Sequence, residues 1–338
     1  MIGSERISIV LPTFNRRPRL ERVLAGLDRQ TAASGSFEVV IVDDGSTDDT
    51  QAWLAESGRR AFNVTALRQS NAGPAKARNA GIAAARGEFL LFLDDDVEPT
   101  EELVAEHLRS HDVEQGIVVI GPLASLPHYE QPWVAWEQAK LEAQYVSMLR
   151  GDWEPSFRQF WTGNASVAKA PVLACGGFDP SFLRGEDVEL GRRLHQYGLG
   201  FRFNPKARGL HHAERSLAAW EAMHQSYGAL EVQIFGGLGE LDMIETLAQN
   251  YSRIHPATRW LVNRCMGSTR RYAAAKQALH SLLELGAAFK MSIALDQACG
   301  ALANLIYWNA SAQALGEARA KCVFQRGDEL RAAAVANS

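Results

Sequence analysis

The chain has 338 residues, 46% of them hydrophobic and 22% charged, an ordinary composition for a globular protein with one large domain or two smaller ones. The formal net charge of −4 argues against a general nucleic-acid-binding protein, because such proteins are usually basic. The four cysteines are widely spaced and form no Cys-x-x-Cys pair, so we expect reduced thiols rather than a disulfide framework or a zinc knuckle.

Strand and helix patterns alternate along the first third of the chain. Strands are predicted at residues 7–11, 37–42, 63–67, 88–93 and 116–121. Several of these runs are almost continuously apolar, as in parallel strands that are buried on both faces. Between the first two strands, Leu20, Val23, Leu24 and Leu27 recur at helical spacing. This alternation predicts an α/β fold with a mostly parallel central sheet flanked by helices.

The pattern changes to mostly helical after residue 214. Leu295, Ala298, Leu302 and Leu305 mark one amphipathic helix of this region. We therefore predict two regions, an α/β domain at residues 1–214 and a helical C-terminal extension at residues 215–338.

The apolar segments predict neither a targeting signal nor a membrane-spanning helix. The first run, Ile7 to Leu11, is too short for a signal-peptide core and ends at Pro12. The best membrane candidate, residues 287–310, is interrupted by Lys290 and Asp296, and charges at such positions are costly in lipid. We expect a cytoplasmic protein that is soluble or bound peripherally at the inner face of the membrane.

Carboxylates stand directly after two of the predicted strands. Asp43 and Asp44 end one strand, and Asp94, Asp95 and Asp96 end another. Ligands of parallel sheets bind beyond the carboxyl ends of the strands. Taken alone, the three consecutive aspartates are compatible with a solvated turn and equally with a site for Mg²⁺ or Mn²⁺.

Four motifs stand in a fixed order around the cluster of Asp94, Asp95 and Asp96. They are PTFNR at 12–16, VDDGSTD at 42–48, NAGPAKARNAG at 71–81, and GEDVELGRRL at 185–194 followed by a histidine pair at 211–212. As an ordered set over about residues 8–212, they resemble glycosyltransferase family 2. The resemblance implies a Rossmann-like GT-A fold, with a nucleotide-binding half at about residues 1–121 and an acceptor and base half at about residues 122–214.

The resemblance also implies which residues bind the nucleotide-sugar donor. Those assigned to the base and ribose are Pro12, Thr13 and Phe14. Asp44 matches the acid that accepts a hydrogen bond from the uracil N–H, which favours a UDP-sugar. Arg78, with Asn71, matches the residues that help to hold the nucleotide.

A divalent metal, Mn²⁺ or Mg²⁺, is the cofactor that the resemblance implies. Asp94 and Asp95 match the part of the D-x-D motif that faces ribose and diphosphate, and Asp96 matches the metal-binding carboxylate. His211 matches a histidine that reaches the metal or diphosphate, although the neighbouring His212 leaves the choice open. Such a cation would neutralise the charge that develops on the leaving diphosphate.

The Glu186-Asp187 pair resembles the segment that carries the general base, and Asp187 matches the base itself. Leu190 and Leu194 share one helical face, so the pair is predicted to begin a helix whose N-terminus keeps the Asp187 carboxylate ionised. A base opposite the leaving group implies single displacement and inversion of the anomeric carbon. Ordinary acidity at a helix start is the alternative interpretation.

Two less specific features accompany these motifs. The first is a group of aromatic residues that either pack together or form a wall for the acceptor, namely Trp133, Trp136, Trp153, Phe157, Phe160 and Trp161. Trp161 is its best acceptor candidate, because Trp161-Thr-Gly-Asn164 resembles the family segment behind the donor sugar. The second is a basic stretch of helix, either a solvated face or a surface for anionic lipid, with Arg253, Arg259, Arg264, Arg270, Arg271 and Lys276.

The resulting prediction is a hexosyltransferase that moves a sugar from a nucleotide donor to an acceptor of open identity: glycan, lipid carrier, protein or small molecule. A pyrophosphorylase or a dehydrogenase would need a glycine-rich loop after the first strand, and residues 12–16 do not form one. The remaining alternative is an inactive relative that binds nucleotide-sugar or serves as a scaffold. Such a relative tends to lose the base or the metal acid, and both are present here.

Overall fold

The computed structural model describes residues 5–33, 35–56, 60–182, 184–236 and 239–336. The chain divides into two units, one formed by Met1–His128 and Gln138–Ala213 and the other by Tyr129–Glu137 and Glu214–Ser338.

The first unit is built from strands and short helices. Its strands are β1 (Ile7–Thr13), β2 (Phe37–Asp43), β3 (Asn63–Arg68), β4 (Phe89–Leu93), β5 (Val97–Pro99), β6 (Ile117–Ile120), β7 (Leu123–Ala124), β8 (Asn164–Ala168), β9 (Gly200–Phe203) and β10 (Gly209–His211). Its helices are α1 (Arg17–Asp28), α2 (Thr50–Glu56), α3 (Pro74–Ala84), α4 (Leu103–Val113), most of α5 (Pro132–Arg150), α6 (Lys169–Ala174) and α7 (Glu186–Gln196).

The central sheet has seven strands in the order β3-β2-β1-β4-β8-β6-β9. The first four strands run parallel, β9 runs parallel to β6, and β8 is antiparallel to both of its neighbours. The predicted α/β fold with a mostly parallel sheet is therefore confirmed. Strand β8 is absent from the predicted set, because Asn164-Ala-Ser-Val-Ala is short and lacks a continuous apolar run.

Side chains of the central strands alternate between two buried layers. Ile9 of β1 and Leu91 of β4 belong to the layer that includes α1, whereas Val10 and Phe92 belong to the opposite layer. All four are fully buried, and each such side chain contributes roughly 1.5–3 kcal/mol by leaving water. This burial holds β1 and β4 side by side, so that the residues following them emerge at one edge of the sheet.

A small second sheet completes the first unit. In it β10 lies between β5, to which it is antiparallel, and β7, to which it is parallel. Its register pairs His211 with Val97. This pairing brings the end of β10 next to the aspartates that follow β4.

The second unit is helical. Its helices are α8 (Leu217–Gly236), α9 (Glu240–Ser252), α10 (Pro256–Cys265), α11 (Thr269–Ala288), α12 (Ser292–Leu315) and α13 (Glu317–Ala336). Helices α8 and α12 approach closely at Gly228, where an added Cβ would lie 2.1 Å from the carbonyl oxygen of Tyr307. Among the described residues, no helix combines the length and apolar character needed to cross a bilayer.

Candidate active site

The loops after β1 and β4 are joined by a buried hydrogen bond. Thr13 Oγ1 donates to Asp95 Oδ2 at 2.8 Å, and both side chains are almost fully buried. Pro12 is half-buried in the same strand end, whereas the Phe14 side chain is 41% exposed. A partly exposed aromatic ring at this edge is able to stack on a planar base.

Two arginines of the β1–α1 segment lie against the aspartates. Arg16 Nη1 is 2.8 Å from Asp95 Oδ1, and Arg19 Nη1 is 3.2 Å from Asp96 Oδ2. Burial raises the pKa of Asp95 to about 6, with the negative Asp96 adding to the rise and Arg16 opposing it. No role was predicted for either arginine, although a cluster of cations directly after the first strand was visible in the sequence.

Asp44 holds the loop that precedes α3. Its Oδ1 accepts hydrogen bonds from the Gln69 side chain at 2.7 Å and from the Ala72 N–H at 2.9 Å, and its Oδ2 accepts one from the Gly73 N–H at 2.9 Å. A carboxylate offers about four acceptor positions. Asp44 therefore retains capacity for one further donor while it anchors the loop.

Asn71 lies in this same loop and is exposed. Its backbone nitrogen would be 2.8 Å from a Cβ added to Gly45, whose φ is +82°. Only glycine meets both conditions without strain, so the loop can approach the end of β2 closely. The structure thus brings Asp44 and Asn71 to the same end of the sheet.

Arg78 connects the end of β4 to the start of α7. This buried guanidinium donates to Asp94 Oδ1 at 2.7 Å and to Glu186 Oε1 at 2.6 Å, and it lies 5.6 Å from the centre of the Phe178 ring. Burial alone would lower the pKa of Arg78, but the two carboxylates raise it and keep the group charged. Arg78 therefore acts as the counter-charge that holds two separate acidic segments together.

Asp187 follows Glu186 in the first turn of α7, the helix predicted from Leu190 and Leu194. Its Oδ1 accepts a hydrogen bond from the Val188 N–H at 2.7 Å. Burial, reinforced by the charge of Glu186, raises the pKa of Asp187 to about 7. Burial and the like charge of Glu186 oppose the helix N-terminus, which the sequence predicted to keep this carboxylate ionised. A pKa near 7 suits a group that accepts a proton at neutral pH.

The two adjacent histidines point to different partners. His211 Nε2 lies 3.9 Å from Asp96 Oδ1. His212 Nε2 lies 3.3 Å from Glu98 Oε2, and its Nδ1 lies 2.9 Å from the Arg22 guanidinium. His211 is the last residue of β10 and His212 directly follows it, and successive side chains of an extended chain point to opposite sides. The structure therefore brings His211, rather than His212, to the side chain of Asp96.

Gln138 is a site residue that no sequence pattern indicated. Its side-chain amide contacts His211 Nδ1 at 2.6 Å, and its Oε1 is buried without a hydrogen-bond partner. Turning the amide over would let Oε1 accept the proton of Nδ1. The Nε2 atom that faces Asp96 would then carry a lone pair for a cation, as second-shell partners of metal-binding histidines commonly arrange.

The donor set around Asp96 fits a divalent cation bound together with a ligand. Among the described residues, no group of three His, Cys, Asp or Glu side chains is arranged to hold a metal by itself. Mg²⁺ is commonly bound by one or two protein side chains, with substrate phosphates and water completing the shell. Asp96 and His211 provide two such side chains.

The aromatic group of the sequence is divided between the two units. Trp161, which is half-buried, meets the Tyr145 ring edge to face at 5.9 Å and contributes to the packing of the first unit. Trp133 and Trp136 belong to the second unit, where Trp136 packs edge to face on Trp220 at 6.0 Å. Trp161 therefore packs within the first unit, and Trp136 packs within the second.

The basic stretch is partly neutralised by acids from other helices. Arg259 pairs with Asp328 at 3.3 Å, and Lys276 pairs with Glu221 at 2.8 Å. These partners are distant in sequence, so the pattern of charges along the stretch could not reveal them. The exposed basic surface is correspondingly smaller than the sequence indicated.

Solved structures with a similar fold belong to nucleotide-sugar-binding proteins. Staphylococcus aureus TarS 1–349 in complex with UDP-GlcNAc is 17% identical, with a TM-score of 0.56 over 91% of each chain. The mannosyltransferase PcManGT of Pyrobaculum calidifontis, in complex with GDP-Man and Mn²⁺, is 18% identical, with a TM-score of 0.60 over 94% of this chain and 88% of its own. These likenesses define the class of the fold as GT-A.

Sequence comparisons relate the chain to glycosyltransferases. Residues 8–164, slightly less than half of the chain, match the sequence model of glycosyl transferase family 2. The uncharacterized glycosyltransferase YfnE of Bacillus subtilis is 30% identical over 245 residues, covering 58% of this chain and 62% of YfnE. Validoxylamine A glucosyltransferase of Streptomyces hygroscopicus subsp. jinggangensis is 33% identical over 222 residues, covering 57% of this chain and 52% of the relative. The chain thus spans less than two thirds of the length of these curated relatives.

Proposed function

We propose that the protein transfers a sugar from a nucleotide-diphosphate donor to an acceptor hydroxyl with inversion of the anomeric carbon. One observation carries the proposal: buried Arg78 bonds both to Asp94 after β4 and to Glu186 at the start of α7. A single charge network therefore links the donor-side aspartates to the candidate base Asp187. Such a constellation of a perturbed carboxylate and an acidic, cation-supported cluster is typical of an active site.

Asp187 is assigned the proton transfer. An acceptor hydroxyl is a poor nucleophile near neutral pH, so a carboxylate must accept its proton as the hydroxyl attacks the anomeric carbon. Burial raises the pKa of Asp187 to about 7, which makes it a stronger base than an exposed aspartate. Attack from the side opposite the nucleotide inverts the configuration, so an α-linked donor gives a β-linked product.

Asp96 and His211 are assigned to a divalent cation, Mn²⁺ or Mg²⁺. When bound, the ion would act as a Lewis acid that neutralises charge on the departing diphosphate. Arg16 and Arg19, which already face Asp95 and Asp96, add fixed positive charge to the same edge. The Mn²⁺ in the complex of the mannosyltransferase neighbour supports this assignment.

The donor is assigned as a nucleotide-sugar, with UDP favoured. Asp44 retains an acceptor position for a base N–H, and Phe14 offers a ring for stacking. One structural neighbour binds UDP-GlcNAc and another binds GDP-Man, which supports the class of donor rather than one base. Residues 1–214 would provide catalysis. The exposed arginines that remain in the helical region are the residues that would contact an anionic membrane surface.

The test is turnover with defined donors. The purified chain is incubated with UDP- and GDP-sugars in Mn²⁺, and release of nucleotide diphosphate is followed with and without a chelator. NMR of any new linkage then reports the anomeric configuration. Metal-dependent release with inversion supports the proposal. Donor binding without release would instead identify an inactive relative, and retained configuration would contradict the assignment of Asp187.

A further inference from the structure

The helical unit contains a cavity that none of the proposed catalytic residues lines. It has a volume of about 730 Å³ and lies beside the loop that joins α10 to α11, the C-terminal end of α12 and the start of α13. Six of its lining residues are Met266, Thr269, Tyr272, Asn309, Gln313 and Phe324. Small-molecule sites typically have volumes of about 300–1,000 Å³, so the cavity is large enough to bind one.

Several polar side chains of this cavity have no partner within the described part of the chain. Tyr272, Asn309 and Gln313 each line the cavity, yet their side chains make no hydrogen bond to another described residue. Burial raises the pKa of Tyr272, so its phenol is a neutral group that can donate and accept. A purely apolar occupant would leave these groups unsatisfied at a cost of roughly 1–3 kcal/mol each. The cavity is therefore suited to a polar ligand.

The charges of the lining cancel. Lys321 Nζ lies 2.7 Å from Glu317 Oε1, and these two residues are the charged members of the described lining. At the N-terminus of α11, the Ser268 hydroxyl accepts a hydrogen bond from the Arg271 N–H. One of the free N–H groups that could attract an anion is therefore already bonded. Neither an anion nor a cation finds a net counter-charge among these side chains. A neutral ligand is favoured.

The lining also includes apolar surface and two aromatic rings. Met266 and Phe324 provide non-polar surface, and the ring of Tyr272 carries both an apolar face and a hydroxyl. Carbohydrates are neutral ligands that combine many hydroxyl groups with a non-polar C–H face, so they match this lining. Amide side chains match the hydroxyls, and aromatic rings match the C–H face.

We infer that this cavity binds a neutral carbohydrate and serves as an accessory site for a glycan acceptor, the acceptor role resting on the proposed glycosyl transfer. The helical region would then contribute to the choice of acceptor, while the residues of the first unit bind the donor.

Direct binding to the full-length chain, without donor, tests the inference. Maltotriose, cellotriose and chitotriose are offered separately at millimolar concentration, and saturation-transfer NMR is recorded for each. At least one trisaccharide should bind, and Gln313→Leu should weaken its affinity roughly 3–10-fold, the usual worth of one hydrogen bond. Gln297→Leu, also exposed on α12 but outside the cavity lining, is the matched control and should leave affinity unchanged.

UDP affinity measured on the same samples separates this inference from the proposed function. Failure of all three sugars to bind, equal weakening by both glutamine variants, or displacement of the sugar by inorganic diphosphate would overturn the carbohydrate site. Retained UDP binding in those cases would leave the proposed donor site standing. Sugar binding without any nucleotide binding would instead support the carbohydrate site and contradict the assignment of the nucleotide-sugar donor.

Discussion

Asp187 is the residue whose replacement tests the proposed chemistry most directly. Asparagine keeps the size of the side chain and the acceptor for the Val188 N–H, but it cannot take a proton. Asp187→Asn should therefore lower the rate of the chemical step by about 10²–10⁴-fold, the usual contribution of a positioned base. Single-turnover kinetics measures the rate, and calorimetry with the donor should give an affinity close to that of the wild type.

Asp242→Asn is the matched control for this variant. Asp242 also lies in the first turn of a helix, α9, but is exposed and belongs to the second unit. Its replacement should leave the rate unchanged. Near-normal turnover of Asp187→Asn would show that another group accepts the proton.

The raised pKa of Asp187 predicts a pH dependence. The base acts in its ionised form, and its pKa of about 7 means that protonation inactivates it as the pH falls. The value of kcat/KM should thus decline about tenfold per pH unit below 7. Glu186→Gln removes the neighbouring negative charge that helps to raise this pKa, so the inflection should move to lower pH. A profile that is flat between pH 5.5 and 8 would contradict the role of Asp187.

Asp96 is the residue expected to make turnover metal-dependent. Asp96→Asn should abolish activity and weaken Mn²⁺ binding in the presence of UDP, because an amide oxygen lacks the charge that a hard cation prefers. Electron paramagnetic resonance of Mn²⁺ gives a readout that does not depend on catalysis. Asp112→Asn, an exposed aspartate paired with Arg6, is the control. Full wild-type activity in excess chelator would refute the metal assignment.

At the scale of secondary-structure elements, Asn164 joins β8 to two loops of the site. Its Nδ2 donates to the Pro122 carbonyl at 3.1 Å and to the Ala207 carbonyl at 2.7 Å, and its Oδ1 contacts His107 Nε2 at 2.9 Å. Burial lowers the pKa of His107 to about 4, so the imidazole is neutral at physiological pH. This buried network fixes the chain just before β10, the strand that carries His211.

Gly121 allows that close packing, which leads to a prediction of stability. A Cβ at Gly121 would lie 2.2 Å from the Ala207 carbonyl oxygen and 2.3 Å from Asn164 Nδ2. Gly121→Ala should therefore lower the free energy of unfolding by about 1–3 kcal/mol, as overpacking usually does. Gly236→Ala, at the end of α8 with nothing within 4 Å of its Cβ position, should change it little. Urea unfolding of both variants measures the difference, and equal stabilities would contradict the packing argument.

At the scale of the whole molecule, donor binding should stabilise the fold. A ligand that binds only the native state adds about 2.7 kcal/mol at 100 times its dissociation constant. UDP with Mn²⁺ should raise the midpoint of thermal unfolding more than either component alone. Asp44→Asn should reduce this increment, because one of the two oxygens that now accept hydrogen bonds becomes a donor. An equal increment for the variant would show that Asp44 does not contact the nucleotide.

The sequence alone was sufficient to predict the α/β fold and the edge of the sheet at which the acidic residues gather. Apolar runs and helical spacing depend on local periodicity, and the residue that ends each strand follows from the same pattern. The positions of Asp44 and of Asp94 to Asp96 at the ends of strands could therefore be predicted from the residues directly before them in the chain. The short antiparallel strand β8 was missed because its pattern is weak and its pairing is long-range.

Only the tertiary structure decided how the acidic residues are paired and charged. Arg78 and Glu186 are 108 positions apart, and Gln138 and His211 are 73 apart, so no local pattern relates them. The choice between His211 and His212 followed from the register of β10, which depends on its pairing with β5. The pKa of Asp187 depends on how much water the surrounding residues exclude. This burial results from tertiary packing and cannot be predicted from the local sequence.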